Sequence, residues 1–225
     1  AEKDIDPFAT VKPDESRFTK IPLVEKLDEP MELEVFDNGD VLFIERAGKL
    51  KLYEAASGET TVVGELNVYL EHEDDLLGLA KDPNFNQNNW IYLYYAPKEY
   101  SPDVNRLSLF EFKENRLDLA SEKIMLEIPV FRGCCHSGGS IEFDVNGLLF
   151  LSTGDDTTPF ESDNYNPIDE RQDRPANVDA QKTSGNSNDL RGAIIRIKPE
   201  ADGSYSIPEG NLFPPGTPNT RPEIY

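Results

Sequence analysis

Between Met31 and Ile207 the chain repeats one pattern three times, and that repeat limits the available folds more than any other feature. Each unit has a short strand ending at an aspartate (Asp37, Asp82, Asp144), then a turn, then an aromatic-rich strand (VLFIE, WIYLYY, LLFLS). A further strand follows and ends near charge (KLKLYE, LSLFEF, AIIRIK). The aspartates lie roughly 45 to 60 residues apart. Several short strands in such a period point to radially repeated sheets, a β-propeller. Stacked sandwiches would also use short strands but would not predict the recurring unit. No stretch carries an apolar stripe of period 3.6, so helices should be few and short.

Within the first unit, MELEVF alternates with a period of two and runs into DNGD, a strong turn signal. VLFIER and KLKLYE read as a tight hairpin closed by Ala47-Gly48, and TTVVGEL as a further strand. The second unit reads as LLGLAKD, the turn cluster DPNFNQNN, then NWIYLYYAP, NRLSLFEFKEN and KIMLEIPV. The third reads as GGSIEFD, LLFLSTGD, LRGAIIRIKPE and SYSIP. It is interrupted from Asp155 to Asp189 by a polar loop of about 35 residues, a length that in compact domains is usually functional or disordered. That loop should lie over the same face as His136. Residues 1–20 are expected to be an extended arm and residues 21–225 the blades. Three units fall short of the four to eight blades of a closed propeller. The expected architecture is therefore all-β, an incomplete propeller of about the first half, its edge covered by remaining blades or a partner chain.

The formal charge of −21, from 43 acids against 22 bases, repels nucleic acid and anionic membranes. No apolar run is long enough to span a bilayer, and the start lacks the pattern of a signal peptide. The chain begins as a cytoplasmic protein or as a mature form with its signal removed. Cys134 and Cys135 are adjacent and cannot staple distant segments, so the cysteine count leaves the compartment open.

Most chemical candidates fall in one stretch, RGCCHSGGSIEFDVNGLLFLSTGDD, from Arg132 to Asp156. His136 precedes Ser137-Gly138-Gly139, where glycines let a ligand approach the backbone, and a histidine can take a proton from a hydroxyl near neutral pH. A hydrogen-bonded loop histidine fits the same residues. Zinc needs about four ligands, and beyond Cys134, Cys135 and His136 the sequence offers only His72. Thiol catalysis by Cys135 is a further reading. The acidic run Glu71, Glu73, Asp74 and Asp75 is either a solvated turn or a polar substrate contact. Asp155-Asp156 and Asn186–Asp189 offer oxygen ligands for calcium without the spacing of a known calcium loop. There is no phosphate loop, GxSxG or HExxH.

Five stretches in order, EPMELEVFDNGDVLFIERAGKLKLYE, EDDLLGLAKDPNFNQNNWIYLYYAP, HSGGSIEFDVNGLLFLSTGDD, NDLRGAIIRIKPEADGSYSIPEGNLF and TRPEIY, resemble the soluble pyrroloquinoline quinone (PQQ)-dependent glucose/sorbosone (aldose sugar) dehydrogenases over about residues 20–225. The resemblance implies a six-bladed propeller with the quinone on its top face near the axis. It implies that His136 is the base that takes the proton of a sugar's anomeric hydroxyl as hydride passes to the quinone. Glu73 falls at a substrate contact, and Cys135 where a polar substrate-contacting residue often precedes the histidine. Asp74-Asp75 stand where the family has two glycines, and a Cys134–Cys135 disulfide would alter the pocket. The resemblance further implies PQQ and calcium as cofactors, with most of their ligands beyond Tyr225, and a periplasmic or extracellular location. These 225 residues alone would then be inactive. PQQ is a tricarboxylate and wants cationic clamps. Arg132 is the candidate nearest His136, with Arg171, Arg174 and Arg191 available from the loop. The alternatives are a carbohydrate- or protein-binding propeller that has lost catalysis, and a calcium-dependent propeller hydrolase.

Overall fold

The structure, a computed structural model, describes residues 15–99, 102–133, 135–160 and 163–225. Among the described residues, twelve strands form three four-stranded antiparallel sheets, each ordered as its strands follow in sequence. The first sheet is β1 (Pro30–Val35), β2 (Val41–Glu45), β3 (Lys49–Tyr53) and β4 (Thr60–Glu65). The second is β5 (Leu76–Lys81), β6 (Trp90–Tyr95), β7 (Val104–Lys113) and β8 (Arg116–Pro129). The third is β9 (Gly138–Phe143), β10 (Leu149–Thr153), β11 (Ile194–Pro199) and β12 (Tyr205–Ser206). One helical turn, α1 (Phe85–Asn88), occupies the DPNFNQNN turn cluster. The three repeats are three consecutive blades of a β-propeller, here an incomplete one.

The alternation within each strand decides how the sheets stack. Ile91, Leu93 and Tyr95 of β6 face a core shared with Leu42, Ile44, Leu50 and Leu52 of the first sheet. Tyr92 and Tyr94, from the opposite face of the same strand, join Ile141, Leu149, Leu151, Ile195 and Ile197 of the third. Each such side chain contributes about 1.5–3 kcal/mol through burial, so neither core exists without two adjacent sheets. The first strands β1, β5 and β9 are neighbours, which makes them the innermost strands. Glu32 and Glu34 of β1 reach across to accept hydrogen bonds from the backbone N–H groups of Leu79 and Lys81 at 2.8 and 2.9 Å.

Two expectations need adjustment. β8 starts at Arg116, well before KIMLEIPV, because Glu114 and Asn115 (φ 51° and 55°) close a two-residue hairpin without glycine. The loop after Asp155 is folded. It contains two 3-10 turns, Ala176–Val178 and Ala180–Lys182, and encloses Asp169 between Arg171 and Arg174. These arginines push the Asp169 carboxyl down to about 2. At the far end, Ile224 bridges to Ile195, and the Tyr225 N–H donates to the Ile194 carbonyl at 2.9 Å, extending the edge beside β11. Of the expected arm, residues 1–14 lie outside the described residues. Glu15–Arg17 form a 3-10 turn, and residues 16–20 are exposed.

Candidate active site

His136 sits where the approach to β9 crosses the exit from β10. The Gly154 N–H donates to the Ser137 carbonyl at 2.9 Å, and the Asp156 N–H to the His136 carbonyl at 3.3 Å. The crossing is tight enough that a Cβ on Gly154 would fall 1.4 Å from the His136 oxygen. Gly138 lies at φ +65° on the other side, where a Cβ would come within 2.5 Å of the Gly154 nitrogen. These contacts are why HSGG and STGD face one another. His136 itself has φ 67°, the left-handed region that a non-glycine residue occupies at a cost of order 1–3 kcal/mol. Its N–H donates to Glu73 Oε2 at 2.5 Å, so Glu73, from the segment before β5, helps fix that conformation.

The acidic run before β5 is not a solvated turn. Asp74 and Asp75 are buried at 2% and 1% exposure, while Glu71 and Glu73 are exposed. Asp74 accepts from Ser137 Oγ at 3.0 Å and Asn105 Nδ2 at 3.3 Å, and pairs with Arg132 at 3.1 Å. It therefore grips both ends of the segment that carries His136. Arg132 also donates to Asn105 Oδ1 and to the Val104 carbonyl, and it stacks on the Tyr69 ring at 4.7 Å. A third buried carboxylate, Asp156, accepts from the Phe131 N–H at 2.7 Å and from Arg191 at 3.0 Å. Burial pushes the carboxyls of Asp156 and Asp75 up to about 6, against the pull of Arg191 and Arg46 respectively. Asp75 accepts from Arg46 Nε at 2.6 Å through one oxygen, and its other oxygen has no partner among the described residues.

The ring of His136 is half exposed, and its Nδ1 lies 2.9 Å from Asp155 Oδ1. A carboxylate only accepts, so in the neutral ring Nδ1 carries the proton and Nε2 keeps its lone pair. Asp155 is itself positioned by the Thr157 N–H at 3.0 Å. A ring held in this way can accept a proton at Nε2. Two clefts flank it and share His72 and Glu73 in their walls. One, of about 540 Å³, lies against the innermost strands and is lined by Arg46, Asp75, Gly138, Gly139 and Ser152. The other, of about 530 Å³, lies under the long loop and includes Cys135. Cys135 is disulfide-bonded, and the sequence's one other cysteine, Cys134, lies outside the described residues.

Of the expected residues, the fold brings Glu73 into the walls of both clefts and Cys135 into the second, His136 adjoins them through its N–H bond to Glu73, and the Arg132 guanidinium is held inside by Asp74. The loop arginines are likewise engaged. Arg171 and Arg174 bond Asp163 and Asp169, and Arg191 grips Asp189 with two donors. Among the described residues no group of three or more His, Cys, Asp or Glu side chains is arranged to hold a metal ion. Sequence reasoning missed Asp74 and Asp75 as buried groups and Asp155 as the histidine's partner. The available signal for Asp155 was its place immediately after the glycine that crosses behind His136.

The glucose/sorbosone dehydrogenase family profile matches residues 27–225. The chain belongs to this family. It is similar to the aldose sugar dehydrogenase YliI of Escherichia coli, 25% identical over 197 residues, which cover 85% of the chain and 46% of that protein. Among solved structures it resembles a glucose dehydrogenase-type oxidoreductase of Thermus thermophilus, with TM-score 0.70 and 28% identity, covering 90% of the chain and 53% of that one. The PQQ-bound aldose sugar dehydrogenase of Streptomyces coelicolor shares the fold at TM-score 0.66 and 23% identity, with 90% and 51% covered. The chain spans about half the length of the curated relatives it matches. None of its helices is long and apolar enough to cross a membrane among the described residues.

Proposed function

We propose that the protein oxidises an aldose at its anomeric carbon, with His136 as the base. The observation that carries this reading is the half-exposed imidazole whose Nδ1 is held by Asp155, which leaves the Nε2 lone pair for a substrate hydroxyl. A sugar hydroxyl meeting Nε2 gives up its proton to the ring, and the adjacent Asp155 carboxylate stabilises the imidazolium that forms. Glu73 is positioned to meet a further sugar hydroxyl with the oxygen that His136 does not use. PQQ, the cofactor that family resemblance supports, supplies a hydride acceptor when bound. Its three carboxylates need cationic partners, and Arg132, Arg171, Arg174 and Arg191 are all committed to carboxylates of this chain. These four arginines therefore offer no free clamp for the cofactor's carboxylates, and calcium rests on resemblance alone. The Cys135 disulfide supports an oxidising compartment such as the periplasm or the exterior.

The test is reconstitution of the intact protein with PQQ and calcium, assayed against a panel of aldoses. His136→Ala should lower kcat by about 10²–10⁴-fold, and Asp155→Asn by at least about tenfold through the wrong ring tautomer. Failure to bind PQQ, or unchanged turnover in His136→Ala, overturns the reading.

A further inference from the structure

The contact between His136 and Asp155 depends on where two strained stretches of backbone lie. His136 has φ 67°, and Asp156, the residue after Asp155, has φ 55°. Such conformations persist only where the surroundings hold them. Asp156 provides that hold at several points. Its N–H donates to the His136 carbonyl at 3.3 Å. Its carboxylate, 4% exposed, accepts from the Phe131 N–H at 2.7 Å, so one residue grips the entry segment at both Phe131 and His136. The same oxygen, Oδ2, accepts from Arg191 Nη1 at 3.0 Å, and Arg191 is in turn anchored by two bonds to Asp189. Beside Arg191, the Gly192 N–H donates to the Gly154 carbonyl at 2.6 Å, and a Cβ on Gly192 would fall 3.1 Å from the Asp155 Cβ. The chain returning from the long loop is thus pressed against the backbone that aims Asp155.

Hydrogen bonds from a backbone N–H or a guanidinium to a carboxylate are shorter and stronger than those between neutral groups. An ionised Asp156 therefore fixes the spacing between the Phe131–His136 segment and the turn that carries Asp155. Any drift of the His136 ring from Asp155 Oδ1, 2.9 Å away, breaks the bond that keeps the proton on Nδ1. Neither Asp156 nor Arg191 lines either cleft, so neither meets a ligand there. We propose that Asp156 is a positioning residue for His136: anchored by Arg191, it holds the Phe131–His136 segment so that the imidazole keeps its contact with Asp155. The kinetic consequence rests on His136 being the base, but the tautomer of the ring is read with no substrate or cofactor present.

The sequence has two histidines, so the intact protein labelled with 15N in its imidazoles gives separate ring signals for His72 and His136, assigned with His136→Ala. With the rings neutral, Asp156→Asn should lower the ratio of the Nδ1–H to the Nε2–H tautomer at His136 by about fivefold or more. Arg191→Met should shift it in the same direction, and it tests the link from the other side if Asp156→Asn does not fold. Asp82→Asn is the control for a general loss of stability. That buried carboxylate accepts from the Tyr92 hydroxyl at 2.8 Å, at the far end of β5 from Glu73, and its loss should leave the His136 tautomer unchanged. In the reconstituted enzyme, Asp156→Asn should lower kcat for an aldose by about ten- to a hundredfold, with KM within about twofold of the wild type. An unchanged tautomer in the variants that fold, or an equal shift in Asp82→Asn, overturns the proposal. A shifted tautomer in a protein that oxidises no aldose even as wild type supports the positioning role and refutes the proposed chemistry. Turnover lost in His136→Ala but indifferent to Asp156→Asn does the reverse.

Discussion

Asp74 gives the sharpest test of how the His136 segment is held. Replacing it with alanine removes the acceptor for Ser137 Oγ at 3.0 Å and Asn105 Nδ2 at 3.3 Å, and the partner of Arg132 at 3.1 Å. Both charged side chains are enclosed, Asp74 at 2% and Arg132 at 10% exposure. A guanidinium left inside without its carboxylate is the expensive outcome, about 3–5 kcal/mol for breaking a buried pair from one side. The hydroxyl and amide that lose their acceptor add to that, while the remaining bonds of Arg132 to Val104 and Asn105, and its longer 3.8 Å pair with the exposed Asp103, offset part of it. We expect a net loss of about 3–5 kcal/mol, which in a domain of this size lowers Tm by roughly 6–20 °C. The control is Lys113→Ala, which breaks the exposed pair with Glu111 and should cost less than about 1 kcal/mol. Urea unfolding followed by far-UV circular dichroism measures both. If Asp74→Ala and Lys113→Ala cost the same, the buried grip on the histidine segment is not what the geometry says. The double variant Asp74→Leu/Arg132→Met should recover much of the loss, since it leaves no unpaired charge inside.

Further outcomes follow from the same site. Asp75 titrates near 6 when folded and near 4 when unfolded, so the folded chain binds the proton more tightly and stability from this group falls as pH rises from about 4 to 6. Asp75→Asn should remove up to about 2 kcal/mol of that fall, read from urea midpoints at pH 4.5 and 7. An unchanged pH slope would refute the buried carboxylate's role. Gly154→Ala places a methyl 1.4 Å from the His136 carbonyl and must displace one strand or the other. It should cost at least about 3 kcal/mol and abolish activity, whereas Gly58→Ala, with nothing within 4 Å of the new atom, should cost only about 1–2 kcal/mol for its φ of +73° and leave activity intact.

The strands were legible because their pattern has a simple physical cause. Alternating or continuous apolar runs between turn residues can bury their faces only by pairing in sequence, and VLFIE, WIYLYY and LLFLS do so. The start of β8 was not legible, because the Glu114-Asn115 turn lacks the glycine that usually marks positive φ. Asp74 and Asp75 were illegible for a different reason. A charge run is solvated by default, and only tertiary partners that are distant in sequence, Arg132, Asn105, Ser137 and Arg46, make burial tolerable. The long loop hid its order in the same way. Its compactness comes from Asp–Arg brackets that composition alone reads as polar linker. His136 was visible as a residue type beside glycines, but Asp155, which gives it its tautomer, was visible only as half of an acidic pair.

Strand β6 belongs to both hydrophobic cores at once, through Ile91, Leu93 and Tyr95 on one face and Tyr92 and Tyr94 on the other. Its amides can exchange with solvent only when both cores open together, which sets their protection at the free energy of global unfolding. The amides of β1 and β12, at the ends of the stack, exchange by local fraying. A hydrogen-exchange profile along the chain should therefore peak at β6 and decline toward both ends. The slowest protons then lie about midway along the stack, behind the segment that carries Glu73, Asp74 and Asp75.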